Sequence, residues 1–176
     1  MNGDPSKPGV RGGRHRLLGP RGAPPPTSPT ALGPALDPPR TSPPAVKKRV
    51  LFVCIGNSCR SQMAEAFARA YGGDILDVRS AGIAPATIIQ PLTRQTLAAW
   101  NLNLDDHFPK DVDMVAREPF DVVVNMSGAP LQLPGARMVE WIVQDPIGQK
   151  DSVYKSVANQ IEGLVMRLIL ELRTGA

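Results

Sequence analysis

A cysteine and an arginine with five residues between them, in Val53-Cys54-Ile55-Gly56-Asn57-Ser58-Cys59-Arg60-Ser61, form the segment most able to do chemistry. An apolar run, Val50-Leu51-Phe52-Val53, precedes it. It reads as a strand buried on both faces. Behind it, Gln62–Tyr71 reads as a helix, with Met63, Ala66, Phe67 and Ala70 at helical spacing. A polar loop between a buried strand and a helix N-terminus makes an oxyanion cradle. Its backbone N–H groups converge, and the helix dipole favours an anion. Arg60 adds a planar fork that fits tetrahedral oxyanions. Gly56 and Asn57 are residue types that tolerate a left-handed backbone. The same positive surroundings favour a thiolate at Cys54, facing the bound anion. Ser61 is placed to donate a hydrogen bond to that sulfur. Residues 55–61 are therefore the expected substrate-binding segment, with Cys54 and Arg60 its reacting and clamping groups. The loop lacks the Gly-Lys-Ser/Thr ending of nucleotide-binding loops.

The elements that must position this loop follow from periodicity. Ile75–Arg79 is a second strand candidate. Pro91–Leu102 reads as a helix opening on proline, and Asp111–Arg117 as a short one. Asp121–Met126 and Arg137–Val143 are two more strands. Ser152–Leu172 carries Val153, Val157, Ile161, Leu164, Val165, Leu168 and Leu172 on one stripe of a long helix. Strands alternating with helices predict a parallel sheet in an α/β sandwich.

Charge and proline divide the 176 residues in two. Residues 1–49 hold nine bases against two acids, and twelve of the 19 prolines. The remainder is net negative, so the overall charge of +4 belongs to a tail and implies no nucleic-acid-binding domain. Residues 1–47 are predicted to be a disordered Pro/Arg-rich tail, because too little apolar surface offsets backbone ordering. Its proline runs suit polyproline II docking on an SH3-like domain, though a solvated segment without a role is the simpler expectation. It contains no continuous apolar stretch of the secretory-leader kind. Residues 48–176 form the expected catalytic domain. Two cysteines exclude a disulfide framework and cysteine-rich zinc sites. No apolar run reaches the roughly 18 residues of a membrane span. The expectation is a cytoplasmic monomer that needs no metal and no cofactor and binds neither nucleic acid nor membrane.

The loop resembles the signature of the low-molecular-weight protein tyrosine phosphatases and of the related thioredoxin-coupled arsenate reductases. Further matches are Arg79-Ser80-Ala81-Gly82, Phe120-Asp121-Val122-Val123-Val124 and Trp141-Ile142-Val143-Gln144-Asp145-Pro146. The resemblance covers residue 48 to about residue 173. It implies a flavodoxin-like three-layer sandwich with a four-stranded parallel sheet. It also implies Cys54 as nucleophile, Arg60 as phosphate ligand, Asn57 braced by Ser80, and Asp145 as general acid. An acid is needed on chemical grounds too, since protonating a leaving oxygen contributes roughly 10²–10⁴-fold.

Details separate the two branches. Phosphatases usually carry proline after the Arg-Ser pair, whereas Gln62-Met63-Ala64-Glu65 here looks like the reductase branch. Thioredoxin-coupled reductases need two further cysteines; their positions fall on Ser127 and near Leu133, and no cysteine follows Cys59. A serine forms no disulfide. Isoleucine and glycine follow Asp145-Pro146 where eukaryotic phosphatases carry tyrosines, so narrow phosphotyrosine specificity is not expected. Three outcomes stand: a phosphomonoester hydrolase, a reductase resolved by an external thiol, or reduction through Cys54 and Cys59 alone. The sequence favours the hydrolase, because every group that hydrolysis needs is present. The alternative is arsenate reduction by the same loop with an external thiol. The expected partners are a phosphorylated protein or a small phosphate or arsenate oxyanion, with a thiol reductant in the second case. Cys59 is either a reversible protector of Cys54 or a small buried residue.

His107 reads as a loop residue and Trp100 and Trp141 as core or rim. Asp105, Asp106, Asp111 and Asp113 read as solvated or helix-capping acids. Met126-Ser127-Gly128 either lines the pocket or makes a turn.

Overall fold

The computed structural model describes residues 46–175; the tail expectation for 1–47 lies almost entirely outside them. Four strands, β1 (Lys48–Cys54), β2 (Leu76–Gly82), β3 (Val122–Asn125) and β4 (Arg137–Glu140), form one parallel sheet in the order β2-β1-β3-β4. With helices α1 (Arg60–Gly72), α2 (Pro91–Ala98), α3 (Val112–Val115) and α4 (Asp151–Thr174), it is the parallel α/β sandwich that periodicity predicts, in the flavodoxin-like form that the resemblance implies.

The apolar run of β1 explains why this strand is central. Side chains alternate across a strand. Val50 and Phe52 enter the larger core, built with α1, α2 and α4. Leu51 and Val53 enter the smaller one on the other face, with Val115, Phe120 and Val123. All four are fully buried. Each such side chain stabilises the fold by about 1.5–3 kcal/mol. Phe67 of α1 stacks edge-on against Trp100 at 5.7 Å, and Trp141 lies tilted 5.7 Å from Phe52. The chain leaves β1 for β2 on one side and later returns to β3 on the other. The C-terminal end of β1, where Cys54 stands, is thus the point of strand-order reversal at which open α/β sheets bind ligands.

Several element boundaries differ from the periodicity reading. The helix expected to reach Leu102 ends at Ala98: Asn101 turns left-handed (φ 57°), and Leu102 N–H bonds back to the Leu97 carbonyl at 3.2 Å. The expected strand 137–143 ends at Glu140, because its neighbour β3 ends at Asn125 and the Val143 carbonyl is taken by Arg60. The helix expected over 111–117 is one turn, Val112–Val115, and Asp111 is its N-cap, accepting from Asp113 N–H at 2.9 Å. β2 extends to Gly82 rather than stopping at Arg79, because it pairs with β1 along its whole length. Among the described residues, no helix is long and apolar enough to cross a membrane, and no cluster of metal-ligating side chains occurs.

Candidate active site

Cys54 is the last residue of β1 and Arg60 the first of α1; residues 55–59 arch between them. An anion cradle requires N–H groups pointing inward, so each carbonyl of the arch must find a donor outside it. Every one does. Cys54 and Ile55 carbonyls accept from Ile83 and Ala84 N–H at 3.2 and 3.0 Å, and that of Gly56 from Ala86 N–H at 2.9 Å. The Asn57 carbonyl accepts from Gln62 Nε2 at 2.9 Å. The Ser58 carbonyl accepts from Gln90 N–H at 3.0 Å and Thr93 Oγ1 at 3.1 Å. No N–H from Ile55 to Ser61 donates to a backbone carbonyl among the described residues. Helix α1 has no acidic residue in its first turn, leaving its positive end uncompensated.

Asn57 adopts φ 45° and is fully buried. Such a conformation persists only where neighbours hold it. Its Nδ2 donates to Ser61 Oγ and Ser80 Oγ, each at 2.8 Å, and its Oδ1 accepts from Lys110 N–H at 2.7 Å. Ser61 Oγ in turn lies 2.9 Å from Cys54 Sγ. The structure thus brings together Cys54, Asn57, Ser61 and Ser80. Arg60 is buried. Its Nη1 donates to the carbonyls of Met126 (2.9 Å) and Val143 (3.2 Å), and its Nη2 to Asp145 Oδ2 (2.6 Å). That last bond carries Asp145, 85 positions away in sequence, to the cradle's edge.

Gly82 has a role that spacing could not reveal. It pairs with Cys54 in the sheet, and a Cβ there would stand 2.5 Å from the Ile55 carbonyl oxygen and 2.8 Å from Asn57 N. Gly82→Ala must displace the arch, at a cost of about 1–3 kcal/mol for overpacking. The expected result is a lower melting temperature together with weaker phosphate binding, read by thermal denaturation and by calorimetric titration; an unchanged phosphate affinity would refute the packing argument.

Four further groups were not legible as site residues. Gln62 is fully buried and joins Asn57 to His107 (Nδ1 to Oε1, 2.8 Å). Glu65, also buried, accepts from Ser80 Oγ and Arg69, with His107 Nδ1 at 3.8 Å and Lys110 Nζ at 3.9 Å. Burial lowers the pKa of His107, partly opposed by Glu65, and burial likewise lowers that of Lys110. His107 does lie in a loop, as expected, but its ring is enclosed. Only the coincidence of a helix face with a distant loop gathers these groups, and no local signal encodes it.

The two cysteines are both free and buried, in different surroundings. Burial pushes the Cys59 thiol up to about 12, against a hydrogen bond with Thr93 that lowers it. Below that pH Cys59 stays a neutral thiol, and the thiolate is the reacting form. Native protein treated with iodoacetamide at pH 8 should therefore acquire one adduct, at Cys54, and a second only after denaturation. Peptide mass spectrometry reads this; an adduct on Cys59 in the native state would contradict it. Ser127 and Leu133, at and near the positions that the resemblance gives the reductases' additional cysteines, have other duties. Ser127 Oγ donates to Asn125 Oδ1 at 2.6 Å, and Leu133 packs on the smaller core. Met126 and Ser127, with Gly128, line a cleft of about 170 Å³ beside Arg60.

A family model described as low molecular weight phosphotyrosine protein phosphatase matches residues 49–175. The chain belongs to that family. Within the family its relatives carry two kinds of name. Arsenate reductase 1 of Bacillus cereus is 36% identical over 120 residues, covering 65% of this chain and 89% of the relative. The glutaredoxin arsenate reductase of Synechocystis sp. is 29% identical over 130 residues, covering 71% and 98%. The crystal structure of a low-molecular-weight protein tyrosine phosphatase from T. tengcongensis superposes with a TM-score of 0.61 at 28% identity, covering 71% of this chain and 99% of that one. The phosphatase-family fold thus serves both named activities among proteins of this similarity.

Proposed function

We propose that this chain is an arsenate reductase that takes both electrons from a thiol outside the chain. The observation that carries the reading is the cradle around Cys54, with every carbonyl turned out, in a chain whose similar relatives include arsenate reductases. The residues distribute the work as follows. N–H groups of 55–61 and the Arg60 guanidinium bind the oxyanion. Cys54 sulfur attacks arsenic, forming an S–As bond while an As–O bond breaks. Asp145, tethered to Arg60, gives its proton to the departing oxygen, which leaves as water. Ser61 holds the sulfur, and Asn57 and Ser80 hold Ser61 and the arch. An external thiolate then attacks Cys54 sulfur. The S–As electron pair passes to arsenic, which leaves as As(III), and a mixed disulfide remains. A second thiol releases Cys54 and yields the oxidised reductant. Two thiols are consumed per arsenate. An external source is invoked because no cysteine follows Cys59 and burial keeps Cys59 itself a neutral thiol. A glutaredoxin or thioredoxin system, or a small thiol, supplies this chemistry.

The same groups favour a second reading, hydrolysis of phosphate monoesters. Cys54 would attack phosphorus, Asp145 would protonate the ester oxygen, and the resulting carboxylate would activate water against the cysteinyl-phosphate. This reading needs no thiol, and the chain's lack of further cysteines speaks for it. Side-by-side assays decide between the two. Arsenate-dependent NADPH consumption, coupled through glutaredoxin with glutathione or through thioredoxin, is expected for the reductase. Turnover of an aryl phosphate with no arsenate-dependent thiol oxidation would install the second reading in its place.

A further inference from the structure

We infer that Gln62 is a positioning residue of the oxyanion site: it sets the orientation of one peptide plane and thereby aims the Ser58 N–H at the bound anion. The inference rests on the reading that residues 55–61 cradle an oxyanion.

The argument begins with the peptide unit. The Asn57 carbonyl and the Ser58 N–H belong to one rigid plane and point in opposite directions. Whatever fixes the carbonyl fixes the N–H. The carbonyls of Cys54, Ile55 and Gly56 are fixed by backbone N–H groups of the segment after β2, and that of Ser58 by Gln90 N–H and Thr93. The Asn57 carbonyl differs: its donor is a side chain, Gln62 Nε2, at 2.9 Å. It also belongs to the one residue of the arch at positive φ, a conformation that persists only where its surroundings hold it.

The Gln62 amide is itself oriented. Its Nε2 has two hydrogens and two carbonyl partners, Asn57 at 2.9 Å and Phe108 at 3.1 Å. Its Oε1 faces His107 Nδ1 at 2.8 Å. Arg69 approaches the other ring nitrogen of His107 at 3.4 Å and can only donate. The ring therefore accepts at Nε2 and carries its proton on Nδ1, toward Gln62. Arg69, His107, Gln62 and Asn57 form one directed chain of donors and acceptors. It runs from the exposed Arg69 of α1 to His107 in the loop before α3, back to the fully buried Gln62 of α1, and into the cradle. A proline at position 62, as the phosphatase branch usually carries, has no such donor.

Amide NMR with inorganic phosphate as the probe tests the inference. In the wild type, phosphate should shift the Ser58 N–H resonance and slow Cys54 alkylation, giving a dissociation constant. Gln62→Met keeps the volume but donates nothing; phosphate affinity should fall at least about tenfold, since a buried carbonyl is left unpaired, and the Ser58 shift should shrink. Gln62→Leu also removes the donor and carries no proton at any pH; it should show the same loss and serves if the first variant does not fold. Either variant counts when its melting curve shows a folded protein. A folded variant that binds phosphate as the wild type does, with the same Ser58 shift, overturns the inference. A wild type that phosphate leaves unperturbed overturns the oxyanion reading itself, and the inference with it.

Discussion

Cys54→Ser should abolish turnover on arsenate and on aryl phosphates alike, by on the order of 10⁴-fold or more, as loss of a covalent nucleophile does. Serine fits the space; its oxygen would sit where the sulfur now meets Ser61 Oγ at 2.9 Å. The arch is held by Asn57, Gln62, Thr93 and the segment after β2, none of which depends on the sulfur. The variant should therefore keep its melting temperature and still bind phosphate through the N–H groups of 55–61. Binding without turnover is the diagnostic pair, read by calorimetric titration beside both activity assays. Retained activity in either assay would move the chemistry away from Cys54. Loss of phosphate binding together with turnover would show that the sulfur organises the arch.

Arg60→Lys should lower kcat/KM by roughly 10³-fold, the scale on which misplaced oxyanion clamps act. The substitution keeps the charge, so a purely electrostatic role would predict a much smaller change. Geometry is what fails. The buried guanidinium joins the Met126 carbonyl, the Val143 carbonyl and Asp145 while closing the cradle. An ammonium is a point donor and cannot hold two carbonyls and a carboxylate while also facing an anion. The carbonyls of Met126 and Val143 then lose a partner, at a cost of about 1–3 kcal/mol. Asp145 also loses its tether, so the acid and the clamp fail together. Steady-state kinetics and thermal denaturation check this. A variant with near-wild-type kcat/KM would show that neither the fork nor the tether matters.

Under the proposed mechanism, a small oxyanion is the expected substrate beside Asp145. Isoleucine and glycine follow Asp145-Pro146, and Ile142 and Ile147 are exposed while Val143 is buried. The acid is thus presented from an apolar rim rather than an aromatic slot.

Local residue types carried much of this protein's reading. The continuous apolar run Val50–Val53, buried on both faces, and the helical stripe through Val153–Leu172 are consequences of which faces must leave water, and these are written in the order of the residues. The arch was legible for the same reason. Cys54, Gly56, Asn57, Arg60 and Ser61 lie within eight positions, so the backbone itself brings them into one loop. Contacts across the chain were a different matter. Asp145 stands beside Arg60, Ser80 beside Asn57 and His107 beside Gln62 because β1 lies between β2 and β3, with the connections returning to the same sheet edge. Asp145 and Ser80 could be named beforehand only by resemblance, and Gln62, Glu65 and Gly82 acquired their parts once the fold had packed them. The ends of β4 and α2 were likewise decided by partners: Val143 surrendered its carbonyl to Arg60, and Asn101 turned left-handed. Periodicity records what a segment prefers to bury; which distant group claims its last carbonyl is settled by tertiary packing.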